Sequence, residues 1–300
     1  ERILIVHRKS LFQLYVTEHR EKAVKLALDR GDRAALRLRR SHEANDRALA
    51  QIKLQLHRRG IEVVARWRAH VRSTRNFDLV ISLGGDGTLL DVSHRILDDT
   101  PVLAINSDPG RSVGALCAGT ADELPGLLDA LERDALRPRR INRVRVRVDG
   151  EPVLGPVLND LLIAHVCPAG LTRYDLAVVS ARRAPRAHSG QRGARFVHHR
   201  GSGIWIATAT GSTAAIRSSG GKAMPPGSRR LQYRVREPYV APGDTPPELL
   251  AGFVPEGQAL VLVSRLRRGM IWADGVHHNV PLTYGQQVVV DNHPAPLRLV

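Results

Sequence analysis

The spacing of apolar residues changes period near Arg139, and this change limits the folds open to the chain more than any other feature. Before it, short apolar runs alternate with longer stretches of mixed character. Ile3-Leu4-Ile5-Val6, Ile61-Glu62-Val63-Val64-Ala65, Leu79 to Leu83 and Val102-Leu103-Ala104-Ile105 read as buried strands. Between the first two, Tyr15 to Arg59 reads as charge-rich helices broken at Gly31-Asp32, with Ser41-His42-Glu43-Ala44 opening the second. Glu123 to Leu136 reads as another amphipathic helix. Alternating strands and helices predict a doubly wound, Rossmann-like parallel sheet with ligands at the carboxyl ends of its strands.

After Arg139 the period is two. Val144, Val146 and Val148 alternate with Arg143, Arg145 and Arg147, and Asp149-Gly150 supplies a hairpin turn. Short strands follow at Val157 to Ala164, Tyr174 to Val179, Ile204 to Ala207, Ala259 to Val263 and Met270 to Ala273. Pro and Gly punctuate Pro225 to Pro255, which reads as long loops. The expected fold is therefore α/β followed by a β-rich, sandwich-like part. The expected bounds are 1–138 for the α/β domain and 139–285 for the β-rich domain, with 286–300 returning to the first.

One loop in the first part carries chemistry. Gly84-Gly85-Asp86-Gly87-Thr88 follows the apolar strand and leads into a helix expected to begin near Thr88. Backbone N–H groups at such a junction wrap phosphate oxygens, helped by the partial positive charge of a helix N-terminus. It is neither Gly-x-x-x-x-Gly-Lys-Ser/Thr nor Gly-x-Gly-x-x-Gly. A carboxylate repels phosphate, so Asp86 fits a loop that accepts a proton from an attacking hydroxyl or positions a metal ion. The plainer reading makes Asp86 a helix cap.

Composition narrows the classes. An apolar share of 43% supports real cores, and no apolar run approaches the ~20 residues of a membrane span. Glu1-Arg2-Ile3 does not open a signal peptide, and a segment before Glu1 stays open. Cys117 and Cys167 lie far apart without a Cys-x-x-Cys, which suits a reducing compartment; the expected location is cytoplasmic. The formal charge of +16 invites a nucleic-acid partner, but the basic residues run from Arg2 to Arg298, and aromatics are only 4%. No specific nucleic acid and no membrane are expected as partners, whereas anionic nucleotides gain from the same field. The adjacent pairs His198-His199 and His277-His278 read as loop residues rather than chelators, and Asp98-Asp99 as a helix end or turn.

Gly84 to Thr88 after an apolar strand resembles the signature shared by NAD kinases and by diacylglycerol and sphingosine kinases. Further blocks follow in the order seen in NAD kinases. Leu158-Asn159-Asp160 resembles that family's Asn-Glu pair, with Asp in place of Glu; Ala207-Thr208-Ala209-Thr210-Gly211-Ser212-Thr213-Ala214 resembles its hydroxyl-rich block; and Asp274-Gly275 resembles its late Asp-Gly. Asn106-Ser107-Asp108-Pro109-Gly110-Arg111-Ser112, Leu116-Cys117, Arg236-Glu237-Pro238 and Ser202-Gly203 are most similar to the mitochondrial-type NAD kinases and their bacterial relatives. Most of the family have Asp where Ser202 stands and Tyr where Ala215 stands.

The resemblance implies transfer of the ATP γ-phosphate to the 2′-hydroxyl of the adenosine ribose of NAD, giving NADP, with Mg²⁺ arriving on ATP and a homodimer or homotetramer as the assembly. It implies Asp86 as the catalytic residue. Gly84, Gly85, Gly87, Thr88, Leu89, Asn106, Asn159, Asp160, Thr210, Gly211, Ser212, Thr213, Ala214 and Asp274 become nucleotide contacts, with no protein-held metal. Asn159 would recognise adenine and Asp160 the ribose hydroxyls, while Arg200, or Arg111, is a candidate source of further positive charge. Two other readings remain beside it: a lipid kinase using the same loop, and a non-catalytic NAD(H)-binding sensor.

Overall fold

In the computed structural model, which describes residues 1–184 and 195–300, the four strands expected in the first part form neighbours in one parallel sheet. Its order is Glu62–Trp67, Arg2–His7, Leu79–Gly84, Val102–Asn106, Leu297–Leu299 and Arg139–Ile141, with Gly119–Thr120 also pairing Val102–Asn106. Ile5 stands between Ala65 and Ile81, and Ile81 stands beside Leu103. The chain leaves Arg2–His7 first toward one side and later returns on the other. Gly84 therefore ends a strand next to the point where strand order reverses, where open α/β sheets bind ligands.

The largest difference from expectation among the helices lies before the second strand. Lys22–Asp29 is followed by a single 26-residue helix, Arg33–Arg58, with no new start at Ser41. Gly31, at φ +71°, ends the first helix, and the Asp32 carboxylate accepts from the Ala34 and Ala35 N–H groups at 2.9 and 3.0 Å. That cap sets the start at Asp32, more than two turns upstream of the one expected at Ser41. Ala48, Ile52 and Leu56 then fall on one face, four residues apart, and join the core formed by Ile3, Ile81 and Leu103. Leu124–Glu132 forms the remaining expected helix, shorter at both ends.

The described residues divide into two compact units, 1–139 with 298–300, and 140–297. Residues 286–297 belong to the second unit because Gln287–Asn292 is a strand of its own sheet. This unit holds two six-stranded antiparallel sheets that share one apolar core. The first sheet runs Val197–Gly201, Thr172–Ser180, Gln258–Ser264, Gln287–Asn292, Val144–Val148 and Glu151–Pro152. The second runs Ala251–Val254, Leu231–Arg236, Gly203–Ala207, Asp160–His165, Gly269–Ala273 and His278–Leu282. The α/β-then-sandwich expectation is borne out.

Two details correct the reading of the second part. The stretch that reads as long loops contains two of these strands, because Leu231, Tyr233 and Val235 alternate into the core between polar residues. The arginines alternating with Val144, Val146 and Val148 are largely consumed by the fold. Arg143 is fully buried and donates to the Ala295 carbonyl at 2.8 and 3.0 Å, while Arg145 and Arg147 both reach buried Asp291. Such pairing inside a β layer leaves less of the formal charge for a partner. Among the described residues no helix is long and apolar enough to cross a membrane.

Candidate functional site

The first cluster is built at the end of Leu79–Gly84, a strand buried along its whole length. Gly84 and Gly85 are required by crowding. A Cβ on Gly84 would lie 2.1 Å from Thr88 Oγ1, and one on Gly85 would lie 2.2 Å from Ser112 Oγ. A Cβ on Gly87 would meet nothing within 4 Å, so that side of the turn is open. The helix begins at Asp86, two residues before the expected start, with Gly85 at the cap position. The Thr88 N–H donates to the Gly85 carbonyl at 2.9 Å, and the amides a helix leaves unpaired before such a bond make this end a seat for anionic oxygens.

Asp86 does not cap that helix. The Ala115 and Leu116 N–H groups donate to its two carboxylate oxygens at 3.1 and 2.9 Å. Two amide donors keep one oxygen face fixed and leave the remaining lone pairs for another partner. The segment carrying those amides is shaped by Asn106. Its Nδ2 donates to the Ser112 carbonyl at 3.0 Å, and its Oδ1 accepts from the Asp108 N–H at 3.1 Å. Gly114, at φ +59°, passes so close that a Cβ would stand 2.4 Å from Asn106 Nδ2. Asn106 thus positions the loop that positions Asp86. Arg111 is engaged with Asp108 at 3.0 and 3.1 Å. Cys117 lies close by, and burial first, then the charge of Asp86, pushes its thiol up to about 12. It stays protonated at neutral pH. Thr88 Oγ1 is buried with no hydrogen-bond partner among the described residues, and Leu89 is fully buried under the helix.

A second cluster lies in the β-rich unit, where Asp274 is the organiser. Its Oδ2 accepts from the Leu158 N–H at 2.8 Å, and its Oδ1 accepts from Asn159 and Asp160 N–H at 2.7 and 3.2 Å. Asp274 itself sits at φ +49°, and its N–H donates to the Asp160 carbonyl at 3.0 Å. The Thr208 hydroxyl ties down the same turn by donating to the Leu158 carbonyl at 2.6 Å, and it accepts from the Gly211 N–H at 3.1 Å. Gly211 has no room for a side chain, since a Cβ would stand 2.1 Å from the Asn159 carbonyl oxygen. Ser212 is also internal, donating to the Ala209 carbonyl at 2.6 Å and accepting from the Met224 N–H at 2.9 Å.

Two side chains of the turn, those of Asn159 and Asp160, take no part in these bonds. Asn159 Oδ1 is buried without a hydrogen-bond partner among the described residues. Asp160 is 8% exposed, and its carboxyl is pushed up to about 7, first by burial and then by the charge of Asp274, against a hydrogen bond from the Ala215 backbone. Thr210 and Ala214 are half-buried beside this turn, and Thr213 is exposed. Arg200 is not in this cluster. Its guanidinium lies 5.0 Å from the Tyr239 ring centre and 3.7 Å from Asp244, in a separate hollow. Sequence reasoning misses Thr208 as a buried anchor and a cavity of about 420 Å³ that runs from Asp160 past Trp205 and Trp272.

Comparison with known proteins agrees with both halves. Residues 3–134 match the model of the ATP-NAD kinase N-terminal domain. A probable NADH kinase of Oryza sativa subsp. japonica is 34% identical over 264 residues, which are 83% of this chain and 78% of that protein. The NADH kinase of Arabidopsis thaliana is 38% identical over 225 residues, 69% of this chain and 68% of that protein. Among solved structures, yeast NADH kinase complexed with NADH superposes with a TM-score of 0.70 at 16% identity, covering 100% of this chain and 83% of that one. An Archaeoglobus fulgidus NAD kinase in complex with ATP gives 0.64 at 19% identity, covering 99% and 92%. The α/β unit with its Gly-Gly-Asp-Gly turn, followed by the two-sheet unit, has the fold of these solved NAD and NADH kinases. The chain belongs to the NAD kinase family.

Proposed function

We infer that this protein is an ATP-dependent kinase of NAD or NADH, placing the γ-phosphate of ATP on the 2′-oxygen of the adenosine ribose. The observation that carries the reading is the Asp86 carboxylate, fixed by the Ala115 and Leu116 amides at the mouth of a glycine turn. The turn's amides and the open side at Gly87 suit phosphate oxygens. Asp86 takes the proton of the 2′-hydroxyl late, as the new phosphorus–oxygen bond forms and ADP departs. A ribose hydroxyl is too weak an acid for full deprotonation beforehand.

Asn159 and Asp160 are assigned to the adenosine half of the acceptor, the amide to the base and the carboxylate to the ribose hydroxyls. Asp274, Thr208 and Gly211 hold them in place. Mg²⁺ is proposed to arrive on the ATP phosphates. Mg²⁺ carried on phosphates keeps several of its waters and would need no dedicated cage of protein ligands. A homo-oligomer in the cytoplasm completes the proposal. The test is purified protein with ATP, Mg²⁺ and NAD or NADH, read as NADP or NADPH formed. Tight dinucleotide binding without product would turn the reading toward a sensor.

A further inference from the structure

The β-rich unit carries an aromatic slot that no hydrogen bond explains. In the sheet bearing Asp160, the residues Leu161, Ile163, Ile204, Ile206, Ile271 and Ala273 point into the core and are fully buried. The alternate positions point away from it. There Trp205 and Trp272 both stand opposite Leu162, one on each neighbouring strand. An outward sheet face is normally polar, yet this row is apolar and holds two of the three tryptophans of the chain. Both line the 420 Å³ cavity, together with Asp160 and Ala215.

The dimensions suit a nucleoside. Strands lie about 4.8 Å apart, so the two tryptophans rise roughly 9.6 Å apart, with Leu162 as the floor between them. A flat ring entering there stacks against an indole at the usual offset spacing. Asp160 lies two residues before Leu162 on the same face, a step of about 6.7 Å. That is the scale separating ribose hydroxyls from the base they carry. At the rim, the Arg236 guanidinium lies 5.9 Å from the Trp205 ring centre and 3.8 Å from the Glu237 carboxylate.

We propose that Trp205 and Trp272 form a stacking slot for one flat ring of the dinucleotide acceptor, adenine or nicotinamide, beside the Asp160 that holds the adenosine ribose. This rests on the acceptor assignment above. A second copy of the chain covering the same apolar row is the competing occupant.

The test measures Michaelis constants for NAD and ATP in the parent, in Trp205→Leu and Trp272→Leu, and in the two phenylalanine variants. The slot predicts that each leucine variant raises the NAD constant about 3- to 10-fold, leaves the ATP constant in place, and is largely rescued by phenylalanine. A second measurement needs neither substitution: in a Trp67→Phe background, ADP-ribose or nicotinamide mononucleotide is titrated against tryptophan fluorescence. Quenching by ADP-ribose assigns adenine, quenching by the mononucleotide assigns nicotinamide, and quenching by neither overturns the slot. Folded leucine variants with an unchanged NAD constant also overturn it, as does a change in sedimentation mass with that constant unmoved. A parent that quenches but makes no NADP would sink the kinase reading and leave the slot standing.

Discussion

The two clusters each turn on a carboxylate, and the two carboxylates are used in opposite ways. Asp86 receives two amides from a loop about thirty residues downstream and keeps lone pairs free at an open turn. Asp274 receives three amides and holds the Leu158–Asp160 turn, so the proposed function gives the charge that meets the ligand to its neighbour Asp160. Asp160 in turn is desolvated, with its carboxyl at about 7. The contrast teaches that an acid read as functional from sequence can serve as reagent, scaffold or contact. Its hydrogen-bond partners decide which.

Substitutions should separate these roles, and the largest effect belongs to the reagent. Asp86→Asn keeps the size of the side chain and should lower turnover by about two to four decades, as expected for loss of a general base. Steady-state kinetics checks this, and near-normal turnover would remove Asp86 from the chemistry. The scaffold comes next. Asp274→Ala leaves three backbone donors without their acceptor, at about 1–3 kcal/mol for each one that stays buried and unpaired. Thermal unfolding should show a clear loss of stability, and a wild-type melting curve would reduce Asp274 to a surface turn residue.

The contact pair should give smaller, substrate-selective effects. Asn159→Ala or Asp160→Ala should raise the Michaelis constant for NAD by roughly 5- to 150-fold, from about 1–3 kcal/mol of lost polar contact, and that for ATP far less. Equal changes in both constants would move the pair out of the acceptor site. Smallest is a pH effect. Because its pKa is raised, Asp160 is neutral below about pH 7 and ionised above it. Ribose hydroxyls donate best to the ionised form, so NAD should bind more tightly as pH rises through 7, by up to about tenfold per unit below the pKa. The stability linkage has the opposite sign: the native state holds this proton after the unfolded chain has lost it, so the contribution of Asp160 to stability declines between about pH 4 and 7. Asp160→Asn should flatten both profiles, and an unchanged profile would assign the pH dependence to another group.

The same contrast explains what could be seen in the sequence. The parallel strands, the glycine turn and the alternating strands after Arg139 are local patterns, each contained within a few residues. The helix start at Asp32 is hidden because a Gly-Asp break reads as an interruption, although its carboxylate is the cap. Leu231–Arg236 is obscured because its outward residues are arginine and glutamine, within a stretch rich in Pro and Gly. Asn159, Asp160, Gly211 and Asp274 lie in one cluster, yet the use of Asp274 depends on contacts 114 to 116 residues away. The Trp205–Leu162–Trp272 row exists only once three strands are in register. Side chains that act through such distant pairings leave no spacing in the chain to read.

Recognition of the acceptor and the chemistry of transfer, in the proposed function, reside in different clusters. The most direct measurement is the dissociation constant for NAD of Asp86→Asn, determined by calorimetry beside the parent. A constant within about threefold of the parent, corresponding to less than ~0.7 kcal/mol, is the predicted result. A loss of NAD binding in the folded variant, comparable to that of Asp160→Ala, would contradict the division.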